Sequence, residues 1–410
     1  MTGDIPAAEP KKDLDELIAQ FEEVARKRPT PAELAEAERT GAEVQHEEPP
    51  EPEPAELPVV PPEAAGGAVA EPEVAAAAAA ALPATAEVPL VTAPDAPALE
   101  PAAVAPAGGE GIEQWWAAGE RVEVALPNGA KYSIFVRLLG QGPWMTMLHG
   151  FPTSSWDWAP IAGAVAERYR LLTFDLLGFG DSDKPSRHNF SAYEQADIVE
   201  ALWRHFGVAE TRVVGHDVGM TVALELLARQ DEGKLATRMS DLTLLNGGVY
   251  AAHHRPRRVQ VLLQRPLLGA FIASRMTEGR FARGFAEIFA PQHQPTADEL
   301  HQHWLSVARR DGFKNYHRLI KYIPERRANA RRWEGAVETS VTPIRFVWGM
   351  VDPVSGAHMA DAIKQRRPAA DFVELADVGH YPQLEAPDRV AAAIIDGPRR
   401  EAEGPRATEN

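Results

Sequence analysis

Asp217, Asp352 and His380 occur in that order, each just after a short apolar run, and their types could support nucleophilic displacement followed by hydrolysis. Asp217 is the middle of Gly215-His216-Asp217-Val218-Gly219, behind the β-branched pair Val213-Val214 and ahead of a helix-forming run from Thr221 to Arg229. Lacking Cβ atoms, Gly215 and Gly219 permit a turn tight enough to lift the middle side chain above a sheet edge in a strained conformation. An ionised carboxylate held there can attack an sp3 carbon and become an ester, which points to epoxides and alkyl halides. Taken alone, the five residues fit an ordinary strand-to-helix turn with a capping Asp equally well.

The other two residues supply what the ester would need. A neutral His380 takes a proton from water, while Asp352 holds its tautomer and stabilises the imidazolium that forms. The water then attacks the ester carbonyl, so an oxyanion develops on Asp217 itself. Backbone N–H groups of Val218, opening the next helix, and of Phe151, after His149-Gly150, are expected to receive it. His149 is expected to pin its loop, with direct catalysis as the alternative. These roles call for no cofactor and no metal, and the absence of cysteine excludes a disulfide framework or thiol metal site.

Short apolar strands alternating with helices must position these groups. Arg121 to Leu126 and Tyr132 to Leu138 read as an opening hairpin around Pro127-Asn128-Gly129. Trp144 to Leu148 reads as a strand ending at His149-Gly150, and Trp156 to Glu167 as a helix. Leu171 to Phe174 is the next strand, and Ala192 to Phe206 a helix leading to the strand before Asp217. Asp241 to Leu245 follows, ending at Asn246-Gly247-Gly248; strands at Val341 to Trp348 and Phe372 to Leu375 precede Asp352 and His380, and Pro387 to Ile395 closes with a helix. This is an α/β pattern, a mostly parallel sheet with helices on both faces, whose ligands gather at the carboxyl ends of strands. The intervening 250–338 stretch has helical spacing and no convincing strand, as expected of a cap over those ends.

Charge divides the chain. Residues 1–110 hold 23 Asp and Glu against 6 Lys and Arg, a balance of about −17 that equals the whole chain's net charge. Rich in Pro, Ala and Glu, this arm is expected to be disordered, except for an amphipathic helix over 13–27 that either docks or frays. The core is expected over 111–249 and 339–397, with a flexible tail over 398–410. The cap carries 16 Arg and Lys against 8 Asp and Glu, many in Arg326-Arg327 and Arg331-Arg332. A solvated helical face is the plain explanation; the alternatives are the acidic arm wrapping the cap, or peripheral contact with an anionic membrane. No nucleic-acid motif accompanies this charge. Met1-Thr2-Gly3-Asp4 lacks the basic and apolar regions of a signal peptide, so a cytoplasmic location is expected.

The combined motifs resemble the epoxide hydrolase and haloalkane dehalogenase branch of the α/β-hydrolase superfamily over roughly residues 115–395. The likeness extends to mesoderm-specific transcript-type hydrolases through His149-Gly-Phe-Pro-Thr-Ser-Ser, Leu177-Gly-Phe-Gly-Asp-Ser-Asp-Lys-Pro, Tyr193-Glu-Gln-Ala, Leu245-Asn-Gly-Gly, Arg331-Arg-Trp, Asp352-Pro-Val and His380-Tyr-Pro-Gln-Leu-Glu. It implies an eight-stranded α/β-hydrolase fold, a cap after strand six and an aspartate nucleophile acting on a small apolar or amphipathic substrate. Haloalkane dehalogenation wants halide donors at the positions of Val218 and Phe151, whose side chains donate nothing, and an arginine at 218 for a haloacid is also missing. Epoxide opening wants cap phenols to protonate the leaving alkoxide: Tyr322 is the first choice, with Tyr316 and Tyr250 the others, against a merely structural buried tyrosine. A non-catalytic binding or scaffold protein built on the fold is the reading of another class.

Overall fold

A computed structural model describes residues 111–399. The acidic arm with its expected 13–27 helix, and the tail from residue 400, lie outside the described residues.

Eight strands form one sheet: β1 (Glu120–Ala125), β2 (Lys131–Leu139), β3 (Trp144–Leu148), β4 (Arg170–Phe174), β5 (Glu210–His216), β6 (Arg238–Leu245), β7 (Ile344–Gly349) and β8 (Asp371–Leu375). Their spatial order is β1-β2-β4-β3-β5-β6-β7-β8, with β1 and β2 antiparallel and the other six mutually parallel. The inner parallel strands are covered on both faces, and every residue of β7 is buried, whereas the edge strand β8 is only partly covered. Strand β1 alternates instead, because Val122 and Val124 point inward while their neighbours face water, whereas β2, expected to alternate as well, buries Ile134, Phe135, Val136 and Arg137 in succession.

The core helices are α1 (Ile112–Ala117), α2 (Ala159–Ala166), α3 (Ala192–His205) and α4 (Val218–Asp231). Helix α3 shows how local sequence sets the boundaries. Its N-cap Ser191 accepts from the Glu194 N–H at 3.2 Å, Arg204 and His205 sit at the negative end of the helix dipole, and Gly207 follows with φ 65°. The helix expected from Trp156 begins instead as a short 3-10 turn, Ser155–Trp158, started by Ser154; α2 follows with Pro160 in its first turn, where a missing N–H costs nothing.

Helix α4 is buried on all sides from Val218 to Ala228 because the sheet lies beneath it and the cap above. After β6 the chain forms the cap: α5 (Arg258–Leu263), α6 (Pro266–Ser274), α7 (Glu278–Ala286), α8 (Ala297–Ala308), α9 (Tyr316–Leu319), α10 (Tyr322–Ala328) and α11 (Ala330–Thr339). A capping box starts α8, where Thr296 accepts the Glu299 N–H and Glu299 accepts the Thr296 N–H. The chain returns through β7, α12 (Ala357–Arg366), β8, α13 (Pro382–Glu385) and α14 (Pro387–Asp396). Trp115, Trp158, Ile161, Met147 and Ile394 belong to an apolar core cluster under α2 and α14.

Two of the four clustered cap arginines depart from a solvated face. Arg326 is buried, and Arg332 reaches back to Glu225 of α4 at 2.7 Å and to Glu232. Arg327 and Arg331 remain exposed. Periodicity located the helices, but which charges turn inward depends on acids and carbonyls supplied by α4. Among the described residues no helix is long and apolar enough to cross a membrane.

Candidate active site

The turn after β5 makes Asp217 the N-cap of α4 with φ 45° and ψ −104°, a strained conformation for a residue bearing a side chain. The flanking glycines are required by contact. A Cβ on Gly219 would fall 2.2 Å from the Leu148 carbonyl oxygen, and one on Gly215 would fall 2.9 Å from the Met220 Cα. Gly150 is needed too, because a Cβ there would approach the His216 ring to 2.5 Å.

Asp217 is only 2% exposed, and its carboxylate is held from two directions. The Phe151 N–H donates to Oδ2 at 3.2 Å from the loop after β3. The Tyr322 hydroxyl, from α10 of the cap, lies 3.1 Å from Oδ2 and 3.4 Å from Oδ1. Val218 opens α4, so its N–H belongs to the first turn, where no intrahelical acceptor exists.

His380, 3% exposed, donates from Nδ1 to Asp352 Oδ2 at 2.8 Å. Asp352 is itself fixed by the Asn246 amide at 2.9 Å, the Ser355 hydroxyl at 2.6 Å and the Val354 N–H at 2.7 Å. Burial would raise the Asp352 pKa, but the His380 charge and these donors lower it below the ordinary carboxylate range. For His380, burial opposes protonation, yet the Asp352 charge and hydrogen bond, and then the Asp217 charge, lift the imidazole above its usual value. Asp217 is likewise pushed up by burial and brought below its normal value by Arg326 first and His380 second.

The surrounding residues hold backbone. His149 accepts the Leu176 N–H on Nε2 at 2.9 Å and meets the Gly150 carbonyl through Nδ1, which ties the β3 and β4 loops together. His216, lowered to about 3 by burial and then by His380, donates from Nε2 to the His380 carbonyl at 2.8 Å. Glu385 accepts the Gly379, Tyr381 and Ala290 N–H groups, which sets the histidine loop and explains the acid five residues after His380.

The three cap tyrosines separate. Tyr322 meets Asp217, whereas the Tyr316 hydroxyl donates to the Pro152 carbonyl at 2.7 Å while its ring packs on Phe151. Tyr250 was expected near the cap's beginning as a donor, and the structure corrects this. It lies under Arg366, whose guanidinium is 4.2 Å from the ring centre, because the loop after β6 turns it toward α12.

No motif or spacing singles out Arg326 as a site residue. Its Nη2 donates to the Asp217 carbonyl at 2.6 Å and lies 3.4 Å from Oδ1; Nε donates to the Thr221 hydroxyl at 2.6 Å; Nη1 meets His254 Nδ1 at 3.3 Å. Asn246, visible beforehand only within Leu-Asn-Gly-Gly, also proves to join β6 to the Asp352 loop. A cavity of about 570 Å³ lies elsewhere, lined by Trp115, Trp156, Phe289 and His303, and neither Asp217 nor His380 borders it. The carboxylate of Asp217, the His380 imidazole and the backbone donors converge away from this cavity.

This sheet order, elbow and cap define an α/β hydrolase. The chain belongs to that family: the model for the alpha/beta hydrolase fold matches residues 143–387. It is 38% identical over 285 residues to LipZ of Mycobacterium tuberculosis, covering 69% of this chain and 96% of the relative. It is also 38% identical over 263 residues to the mesoderm-specific transcript homolog protein of Bos taurus, covering 62% and 78%, in agreement with the motif resemblance. A haloalkane dehalogenase loop variant, DbeA-M1 from Bradyrhizobium elkanii, shares the fold at a TM-score of 0.56 and 20% identity, covering 68% of this chain and 95% of that one.

Proposed function

We propose that this α/β hydrolase acts through a covalent ester on Asp217 and opens epoxide-like electrophiles. The observation that carries this reading is the double grip on one carboxylate, by the Phe151 N–H of the core and the Tyr322 hydroxyl of the cap. Asp217 Oδ1 attacks the ring carbon, the carbon–oxygen bond breaks, and its electrons pass to the leaving oxygen. Tyr322 protonates that oxygen. His380 then takes a proton from water, and the hydroxide attacks Cγ of Asp217. The resulting oxyanion on Oδ2 is received by the Phe151 and Val218 N–H groups. Collapse breaks the Cγ–Oδ1 bond and releases the diol, whose oxygen takes the proton back from His380; the proton left on the oxygen newly added to Asp217 passes to the Tyr322 phenolate, 3.1 Å away in the resting arrangement, so that carboxylate, phenol and neutral imidazole are all restored. Halide chemistry lacks support because the side chains of Val218 and Phe151 offer no donor.

One turnover of an epoxide by excess enzyme in heavy-oxygen water is expected to leave the label in the Asp217 carboxylate, read by peptide mass spectrometry. Label found in the diol, with Asp217 unchanged, would refute the ester.

The pH dependence follows from the charges on His380. Only the neutral imidazole activates water, so ester hydrolysis rises with pH through the His380 pKa. Forming the ester removes the Asp217 charge, one of the causes that lift this pKa in the resting enzyme. The acid limb of ester breakdown, followed by stopped flow, is thus expected at lower pH than the His380 titration observed by NMR in free enzyme. Coincident values would count against the His380 assignment.

A further inference from the structure

Arg326 is placed where a spectator cation would be unwelcome. Its guanidinium is buried among the elbow carbonyl, Thr221 and His254, and the chain has made room for it. A Cβ on Gly248 would lie 2.4 Å from Arg326 Nη1 and 2.6 Å from His254 Nδ1. His254 is neutral, lowered to about 3 by burial and then by Arg326 itself. Among the described residues the carboxylate that pairs with this guanidinium is Asp217, at 3.4 Å.

The proposed chemistry disturbs that pairing. When Asp217 becomes an ester it loses its charge, and a buried guanidinium deprived of its carboxylate is strongly destabilised. A substrate that brings its own anion would restore the balance. It would also draw Arg326 away from Oδ1 before attack, leaving that oxygen free to act as nucleophile.

Resting on the ester reading, we infer that Arg326, backed by His254 and admitted by Gly248, is an anion receptor, and that the substrates are epoxides carrying a carboxylate beside the reacting carbon. Carboxylate is preferred to a spherical halide because the planar guanidinium can offer two parallel N–H groups to two oxygens. Val218 supplies no cation from the elbow, so a cap residue takes that place.

The test separates the receptor from the reaction. Asp217→Asn removes the negative charge while keeping the shape, as esterification does. Calorimetric titration with acetate is expected to show binding at least ~10-fold tighter in this variant than in wild type, and the gain should vanish in Asp217→Asn/Arg326→Met. Acetate binding that is unchanged by Asp217→Asn, or that survives loss of Arg326, overturns the receptor. Bromide binding without acetate binding overturns the carboxylate assignment. Thermal melts identify any variant that has failed to fold; for such a variant Arg326→Lys, which keeps the charge but loses the planar fork, replaces methionine and should lower acetate affinity. A matched epoxy acid and epoxy amide complete the design, with wild type expected to favour the acid and Arg326→Met to lose that preference. If neither epoxide is turned over while acetate binding behaves as expected, the receptor stands and the epoxide reading falls. Turnover without an acid preference leaves the ester reading and overturns the receptor.

Discussion

Replacing His380 with glutamine is expected to halt the enzyme halfway, with substrate bound covalently to Asp217. Attack by the carboxylate needs no proton from His380, whereas breakdown of the ester needs a base for water. Multiple turnover should fall by about 10^4-fold, the scale seen when a hydrolytic base or its orienting acid is lost. Intact-protein mass spectrometry should show one substrate mass added per chain within the first turnover. Because Asp352 accepts from His380, Asn246, Ser355 and Val354 together, the glutamine variant leaves its carboxylate with three of four donors. A folding failure is therefore not the expected cause of lost activity, and a melting curve checks this directly. Continued turnover at near the normal rate, or loss of activity with no adduct on Asp217, would contradict the assignment.

The second large effect concerns stability. Glu225 on α4 is buried and accepts Arg229 at 2.8 Å, Arg332 at 2.7 Å and the Trp333 indole N–H at 2.8 Å. Two of these donors come from α11, so a single carboxylate of the core clamps the cap. Changing Glu225 to alanine leaves the Trp333 indole N–H without its acceptor and reduces Arg332 to Glu232 and Arg229 to Asp197 and Glu200; removing one member of a buried charged network costs about 3 kcal/mol or more. With partners that are partly solvated, the lower end of that range is expected. For a domain of this size the loss corresponds to a fall in melting temperature of roughly 5–10 °C. Adding Arg332→Met to Glu225→Ala should cost less than the sum of the single changes, because each single change already removes the contact between the two side chains. Strict additivity would mean that the contact contributes little.

The strand ends were legible because each depended on short-range pattern. Asp217, Asp352 and His380 follow apolar runs, and Gly215 and Gly219 mark a turn whose steric need is local. Tyr322 could be ranked ahead of Tyr316 and Tyr250 but not separated from a merely structural buried tyrosine, since the hydroxyl's destination depends on how α9 and α10 lie across the sheet. Arg326 was harder still. Beside Arg327 on a short helix it looks like half of a charged face, and only the space above Gly248 and the Asp217 carbonyl draw it inward. The strain at Asp217 was readable from flanking glycines; the cation bound to that strained peptide was not.

Tyr322 and Arg326 are four residues apart, so both project from the same side of α10. Under the proposed ester mechanism, a shift of that one helix away from the sheet would carry off both the hydroxyl assigned to ring opening and the cation beside the attacking oxygen in a single movement. The elbow would then face solvent without its helpers. Reactive electrophiles that reach an open molecule by chance would meet a poorly assisted carboxylate, and suicide alkylation would be suppressed until the cap has closed over a fitting guest.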